Sequence, residues 1–111
     1  MEEKIFPNLE LLRKWMQEID YPLRVIDNVI LHEEAHAKMA ISLGYHCNFG
    51  YEVWPQGYYF KTIIKGRKIP LRDLVRIAMA PECPGEDDLN ILEIAISNNE
   101  ISKEGALKLL K

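Results

Sequence analysis

The chain has 111 residues, of which 48% are hydrophobic and 28% are charged, and its formal net charge at pH 7 is −3. This length suits one domain, residues 1–111, with a core that needs no disulfides, and the charge gives no indication of nucleic-acid binding. The two cysteines are isolated, no apolar run reaches the length of a membrane span, and the N-terminus does not look like a signal peptide. We therefore expect a cytoplasmic protein without a membrane segment.

The first predicted element is a helix from about Leu9 to Ile19, for which Asn8 is a suitable N-cap. Apolar side chains recur along it at helical spacing, which indicates packing on a core. These side chains are Leu12, Trp15, Met16 and Ile19. The segment that precedes this helix is a short polar start, to which no element is assigned.

A second, longer helix is predicted from about Pro22 to Leu43, with Gly44 as a favourable residue just beyond its end. Glu34 and Lys38 are four residues apart on one side, where they form a favourable pair facing water. Another stripe of the helix is apolar except for two histidines. It consists of Val25, Val29, His32, His36, Met39, Ala40 and Leu43.

This helix contains the motif H-E-x-x-H as His32, Glu33 and His36. Residues four apart lie above one another on a helix, so the two imidazoles can occupy two positions of a tetrahedral zinc site. Glu33 lies about 100° round the helix axis and can reach a water in the open position. The motif therefore predicts a zinc-dependent hydrolase.

The rest of the chain predicts one hairpin followed by three helices. Residues 45–64 are rich in aromatic and β-branched side chains and are interrupted by Pro55-Gln56-Gly57, as in a β-hairpin. Helices are predicted over about 71–80 and 86–97, and a short last helix runs from a cap at Ser102 through Leu110. The order helix, helix, hairpin and three helices indicates an α+β fold that is mostly α.

A catalytic zinc site needs three protein ligands and one open position, and the motif provides two of the three. The extended motif H-E-x-x-H-x-x-G-x-x-H is excluded, because Met39 and Ser42 stand at its glycine and third histidine. His46 lies shortly after the helix, and Cys83 lies in a proline-rich loop. Each stays open as a third ligand but is the less common choice for such a site.

Asp88 is the favoured third ligand, ahead of Asp87. On the predicted fourth helix it shares a face with Ile91 and Leu92, which should turn inward. A carboxylate directed into a core needs a partner, and a zinc ion would be one. The alternative is that Asp87, Asp88 and the preceding Glu86 only stabilise the positive end of the helix dipole.

Three segments together resemble the FtsH-type zinc metallopeptidases. Residues 32–37, H-E-E-A-H-A, are similar to the H-E-A-G-H-A of that family, and residues 53–57 resemble the strand-Pro-x-Gly turn that follows its motif helix. Residues 87–89, Asp-Asp-Leu, resemble its later x-Asp-Leu, whose aspartate is the third zinc ligand. The resemblance covers about residues 22–97, and H-E-x-x-H is its specific part.

The resemblance implies a zincin-like helical domain with one small hairpin after the motif helix, and Zn²⁺ bound by His32, His36 and Asp88. It also implies hydrolysis of peptide bonds in a peptide or protein substrate, with Glu33 as the general base. Ala35 departs from the family's usual glycine, and the hairpin-to-aspartate segment is shorter. We expect a stand-alone domain without the ATPase module and membrane anchor of that family.

Two other functions remain open at this point. A regulatory protease of the ImmA/IrrE type, specific for one partner, also uses H-E-x-x-H in a small domain. A non-catalytic binding module would keep zinc only as a scaffold, although such a module has no need for Glu33. The sequence indicates neither a particular substrate nor an oligomeric state, and it does not identify an oxyanion stabiliser.

Overall fold

A computed structural model describes residues 2–66, 68–98 and 101–109. Within these ranges the chain is an α+β fold, about half helical, with five helices and one three-stranded antiparallel sheet. None of the helices in these ranges has the length and apolar character needed to cross a bilayer. In chain order the elements are β1 (Glu2–Phe6), α1 (Leu9–Glu18), α2 (Leu23–Ser42), β2 (His46–Trp54), β3 (Gly57–Lys65), α3 (Leu71–Ala78), α4 (Glu86–Ser97) and α5 (Lys103–Leu109).

Helices α1 and α2 form where the sequence predicts them, and their ends show why. The side chain of Asn8 accepts a hydrogen bond from the Leu11 N–H at 2.9 Å, which satisfies a free donor of the first turn. Gly44 follows α2 with a φ of +92°, in the left-handed region that glycine adopts without a Cβ clash. The Tyr45 N–H then donates to the Ala40 carbonyl at 2.9 Å and ends the helix.

The predicted element order, which begins with a helix, omitted a strand, because residues 2–6 form strand β1, which pairs antiparallel with β2. Phe6 lies opposite Phe49, and the Phe6 ring packs on Trp15 of α1 at 5.4 Å between ring centroids. Three of the five residues of this strand, Glu2, Glu3 and Lys4, are charged, so the sequence gives no local indication of a strand. Its backbone groups are satisfied by a partner more than forty residues later, which no local pattern shows.

The predicted hairpin is confirmed, and it places β3 at an edge of the sheet, whose strand order is β1-β2-β3. Trp54 pairs with Gly57 across a two-residue turn. Because side chains alternate along a strand, Thr62 lies on the same face as its partner Phe49, which is 5% exposed and packs in the core. The edge strand thus directs Thr62 towards the helices.

Two hydrophobic cores form on either side of the α2–α3 contact. The sheet-side core lies between α1, α2 and the sheet, and its buried residues are Leu12, Met16, Ile26, Ala37 and Phe49. The helical core lies between α3, α4 and α5, and its buried residues are Val75, Met79, Leu92, Ala95 and Ala106. Helix α2 packs on α3 and on both strands of the hairpin, so the motif helix lies between the two cores.

Candidate metal centre

The three residues predicted as zinc ligands come together from two helices. His32 and His36 stand one turn apart on α2, with their ring centroids 4.7 Å apart, and Asp88 approaches them from the first turn of α4. The side chain of His36 is 8% exposed, that of Asp88 15% and that of His32 30%, so the site is sheltered and open on the His32 side.

The distances among the three facing atoms suit a tetrahedral metal ion. Nε2 of His36 lies 3.1 Å from Nε2 of His32 and 3.4 Å from Oδ2 of Asp88, and the His32–Asp88 distance is 3.5 Å. Ligand atoms about 2.0–2.1 Å from a zinc ion at tetrahedral angles lie about 3.3–3.4 Å apart. Two imidazole nitrogens and a carboxylate oxygen are also a ligand set that zinc commonly takes.

A hydrogen bond on the far side of the His36 ring determines which nitrogen faces the centre. Nδ1 of His36 lies 2.6 Å from the carbonyl oxygen of Ile77, on α3. A carbonyl oxygen only accepts, so the proton is on Nδ1, and in the neutral ring Nε2 presents its lone pair to the site. This is the arrangement by which proteins orient a metal-binding histidine.

Asp88 is held in place by the backbone at the start of its own helix. Its Oδ2 accepts a hydrogen bond from the Gly85 N–H at 2.8 Å, which also satisfies a free donor of α4. Leu92 and Ala95, further along the helix, are buried in the helical core and fix the rotation of α4. The sequence interpretation therefore placed Asp88 on the correct, inward side.

Charge also favours a cation at this position. Burial acts to raise the pKa of Asp88, but His32, His36 and the Gly85 N–H outweigh it and hold that pKa well below its usual range. Burial acts to lower the pKa of His36, whereas Asp88, the Ile77 carbonyl and Glu33 raise it by more. The carboxylate thus stays ionised, and its negative charge favours a positive charge at the two imidazoles, either a proton or a metal ion.

Glu33 is buried, with only 4% of its surface exposed. Its Oε2 accepts a hydrogen bond from the Thr62 hydroxyl of β3 at 2.5 Å. Burial raises the pKa of Glu33, and the Thr62 hydrogen bond acts in the opposite direction. The sequence interpretation did not include Thr62; the alternation of side chains along the hairpin is the signal that could have found it.

A cavity of about 350 Å³ opens beside these residues, between α2, β3 and α4. The motif residues and Asp88 form one wall. Strand β3 forms another with Tyr59, Phe60, Lys61 and Thr62, residues from both of its faces, so the edge of the strand itself borders the cavity. The three residues that carry the facing ligand atoms, His32, His36 and Asp88, all line this cavity.

Within the described part of the chain, the other candidate ligands do not join the cluster of His32, His36 and Asp88. His46 is exposed at the start of β2, and Cys83 is exposed in the loop before α4. Asp87 is exposed and borders the cavity, but it does not join the two histidines. Glu34 pairs with Lys38 at 3.3 Å on the outer side of α2, as the sequence predicted.

Comparisons of the chain with protein-family models, with curated proteins and with solved structures find no match.

Proposed function

We propose that the protein is a zinc metallopeptidase of zincin-like type, similar to the FtsH-type enzymes, acting on peptide or protein substrates in the cytoplasm. The observation that supports this most is the placement of three ligand atoms 3.1–3.5 Å apart next to a buried glutamate. A structural zinc site is usually closed by four protein ligands, whereas this group supplies three and borders a cavity.

The metal would be held by His32, His36 and Asp88, leaving the fourth position for water or substrate. When bound, zinc would supply a Lewis acid that lowers the pKa of water towards neutrality. The Ile77 carbonyl accepts the proton on Nδ1 of His36, so that Nε2 is the nitrogen that faces the metal, and Gly85 holds the Asp88 carboxylate towards the two rings.

Glu33 is the proposed general base. Burial gives its carboxylate a greater proton affinity than that of an exposed glutamate, which suits a group that takes a proton from the attacking water. Thr62 occupies Oε2 of this carboxylate, so Oε1 remains for the water. The same oxygen then delivers the proton to the amine that leaves when the peptide bond breaks.

The edge of β3 is the proposed position of the substrate. An extended peptide can add to an exposed strand edge by backbone hydrogen bonds, and this edge borders the cavity. Tyr59, which is 45% exposed, and Phe60 line the cavity next to it. Phe60 also packs against the sheet-side core, while Tyr58 packs on Tyr21 at 5.5 Å between ring centroids.

The test compares Glu33→Gln with Glu34→Gln in zinc-loaded protein, using a mixture of quenched fluorescent peptides of varied sequence. Glu34 is the matched control, because it is the next residue of the same helix and pairs with Lys38 on the outer side. We expect Glu33→Gln to keep its zinc and lose activity by about 10²- to 10⁴-fold, and Glu34→Gln to behave as wild type. Full activity in Glu33→Gln, or an inactive wild type with zinc bound, would contradict the proposal.

A further inference from the structure

We infer that Thr62 is a positioning residue, whose hydroxyl holds the Glu33 carboxylate in the orientation needed to accept a proton. This inference rests on the proposed function. It concerns a side chain on β3, a different element from the one that carries H-E-x-x-H. The observation behind it is the 2.5 Å hydrogen bond from Thr62 Oγ1 to Glu33 Oε2.

The hydroxyl has one proton to donate, and the geometry shows where that proton goes. Oγ1 of Thr62 is 2.5 Å from Oε2 of Glu33 and 3.4 Å from the backbone carbonyl oxygen of the same residue. The shorter contact takes the proton, because hydrogen bonds weaken as this distance grows. A bond from a neutral donor to an ionised acceptor is also one of the stronger kinds.

Glu33 needs such a support because its side chain has three rotatable bonds and stands beside an open cavity. Within the described residues, Thr62 is the side chain that donates a hydrogen bond to this carboxylate. Without it, the buried carboxylate would lose a partner and could turn to other rotamers. A displacement of about 1 Å at a reacting group can cost about 100-fold in rate.

The location of Thr62 adds a second reason. Its partner across the hairpin is Phe49, which is 5% exposed and belongs to the sheet-side core. The backbone of β3 is therefore anchored on one side, while its other edge borders the cavity. One rigid strand thus presents the substrate edge and fixes the base, which sets the distance between them.

The test measures kcat, KM and zinc content for Thr62→Val, Thr62→Ser and Thr62→Ala. The substrate is a quenched peptide chosen from the mixture because the wild type cleaves it. Valine keeps the shape and the β-branch while removing the hydroxyl, and serine restores the hydroxyl. Ser42→Ala is the matched control, because it removes a hydroxyl from α2 that donates to the Met39 carbonyl, remote from Glu33 in the sequence.

We expect Thr62→Val and Thr62→Ala to lower kcat by about 10- to 100-fold, with KM within about twofold of wild type and full zinc content. Thr62→Ser should recover most of the rate, and Ser42→Ala should equal wild type. Alanine serves in place of valine if the valine variant does not fold, since it cannot crowd Glu33.

Several results would overturn the inference. They are wild-type kcat in folded, zinc-loaded Thr62→Val or Thr62→Ala, a serine variant as slow as the valine variant, or loss of zinc in the valine variant. A raised KM with unchanged kcat would assign Thr62 to substrate binding instead. Failure of the proposed function gives a different result, because wild-type cleavage would then be absent or independent of Glu33. In that case the inference about Thr62 would be wrong as well.

Discussion

The two halves of this molecule are built in different ways. The sheet-side region, residues 2–65, brings together elements distant in sequence and fills its core with large side chains such as Met16 and Phe49. The helical region, residues 71–98 and 101–109, consists of consecutive helices, and two of its five buried core residues, Ala95 and Ala106, are alanines, against one of five in the sheet-side core. Burial of a large side chain contributes more to stability than burial of a small one. The helical region therefore depends more than the sheet-side region on the contacts that join the two.

The proposed zinc centre lies where the sheet-side region and the helical region meet. Both histidines come from α2, which belongs to the sheet-side region, whereas Asp88 comes from α4 in the helical region. The hydrogen bond from His36 to the Ile77 carbonyl crosses between the regions as well. A metal bound here would join the two regions, and the comparison therefore predicts that they respond differently to mutation and to metal removal.

The largest expected effects on stability come from truncating the two cores. Leu12 is fully buried in the sheet-side core and Leu92 is 5% exposed in the helical core, so changing either to alanine should cost about 2–5 kcal/mol. Leu92→Ala should also weaken zinc binding, because α4 carries Asp88. Urea unfolding with zinc titration measures both effects, and equal zinc affinities in the two folded variants would contradict this difference between the regions.

Metal removal should loosen the helical region more than the sheet-side region. Zinc at 100 times its dissociation constant stabilises the folded state by about 2.7 kcal/mol, and a chelator removes this contribution. Hydrogen exchange with and without chelator should show faster exchange in α4 and α5, with little change in α1 and β2. A uniform increase over all elements would show that the metal does not link two separable regions.

Asp88→Asn separates the two roles of that residue. An asparagine can still accept the hydrogen bond from the Gly85 N–H, but it lacks the negative charge that favours a cation. We expect zinc affinity to fall by more than about 10-fold, while the metal-free protein still folds and α4 keeps its N-terminal hydrogen bond, at the cost of the attraction between the carboxylate and the two histidines. The control is Asp87→Asn, an exposed neighbour, and unchanged zinc affinity in Asp88→Asn would leave helix capping as its role.

The smallest expected effect is on the outer side of α2. Removing the Glu34–Lys38 pair by Glu34→Ala should cost about 0.3–0.5 kcal/mol and leave zinc content unchanged, because the pair is largely exposed. Urea unfolding and elemental analysis measure both quantities. Loss of zinc in this variant would mean that α2 turns a different face to the site.

The elements that the sequence predicted well are those with strong local signals. Helix α2 is fixed by its apolar stripe, by Pro22 at its start and by Gly44 at its end, and α4 follows a proline-rich loop. The sequence also predicted the inward direction of Asp88, because apolar residues recur on the same face. These patterns, together with the family resemblance of residues 87–89, selected the three ligand candidates that the structure brings together.

What the sequence did not predict depends on contacts between distant residues. Strand β1 exists because β2 satisfies its backbone, and its three charged residues gave no sign of this. The burial of Glu33, the Thr62 hydroxyl and the Ile77 carbonyl became visible only once α2, β3 and α3 were packed together. Local periodicity predicts on which face of a helix or strand a side chain lies. It does not predict which atoms of other elements that side chain contacts.

The most direct test of the account is the zinc content of protein purified without chelator and dialysed, compared with the His32→Ala/His36→Ala double variant. We expect about one zinc ion per wild-type chain, bound by three protein ligands, and almost none in the double variant. Equal zinc content in the two proteins, or no zinc in the wild type, would contradict the proposed centre.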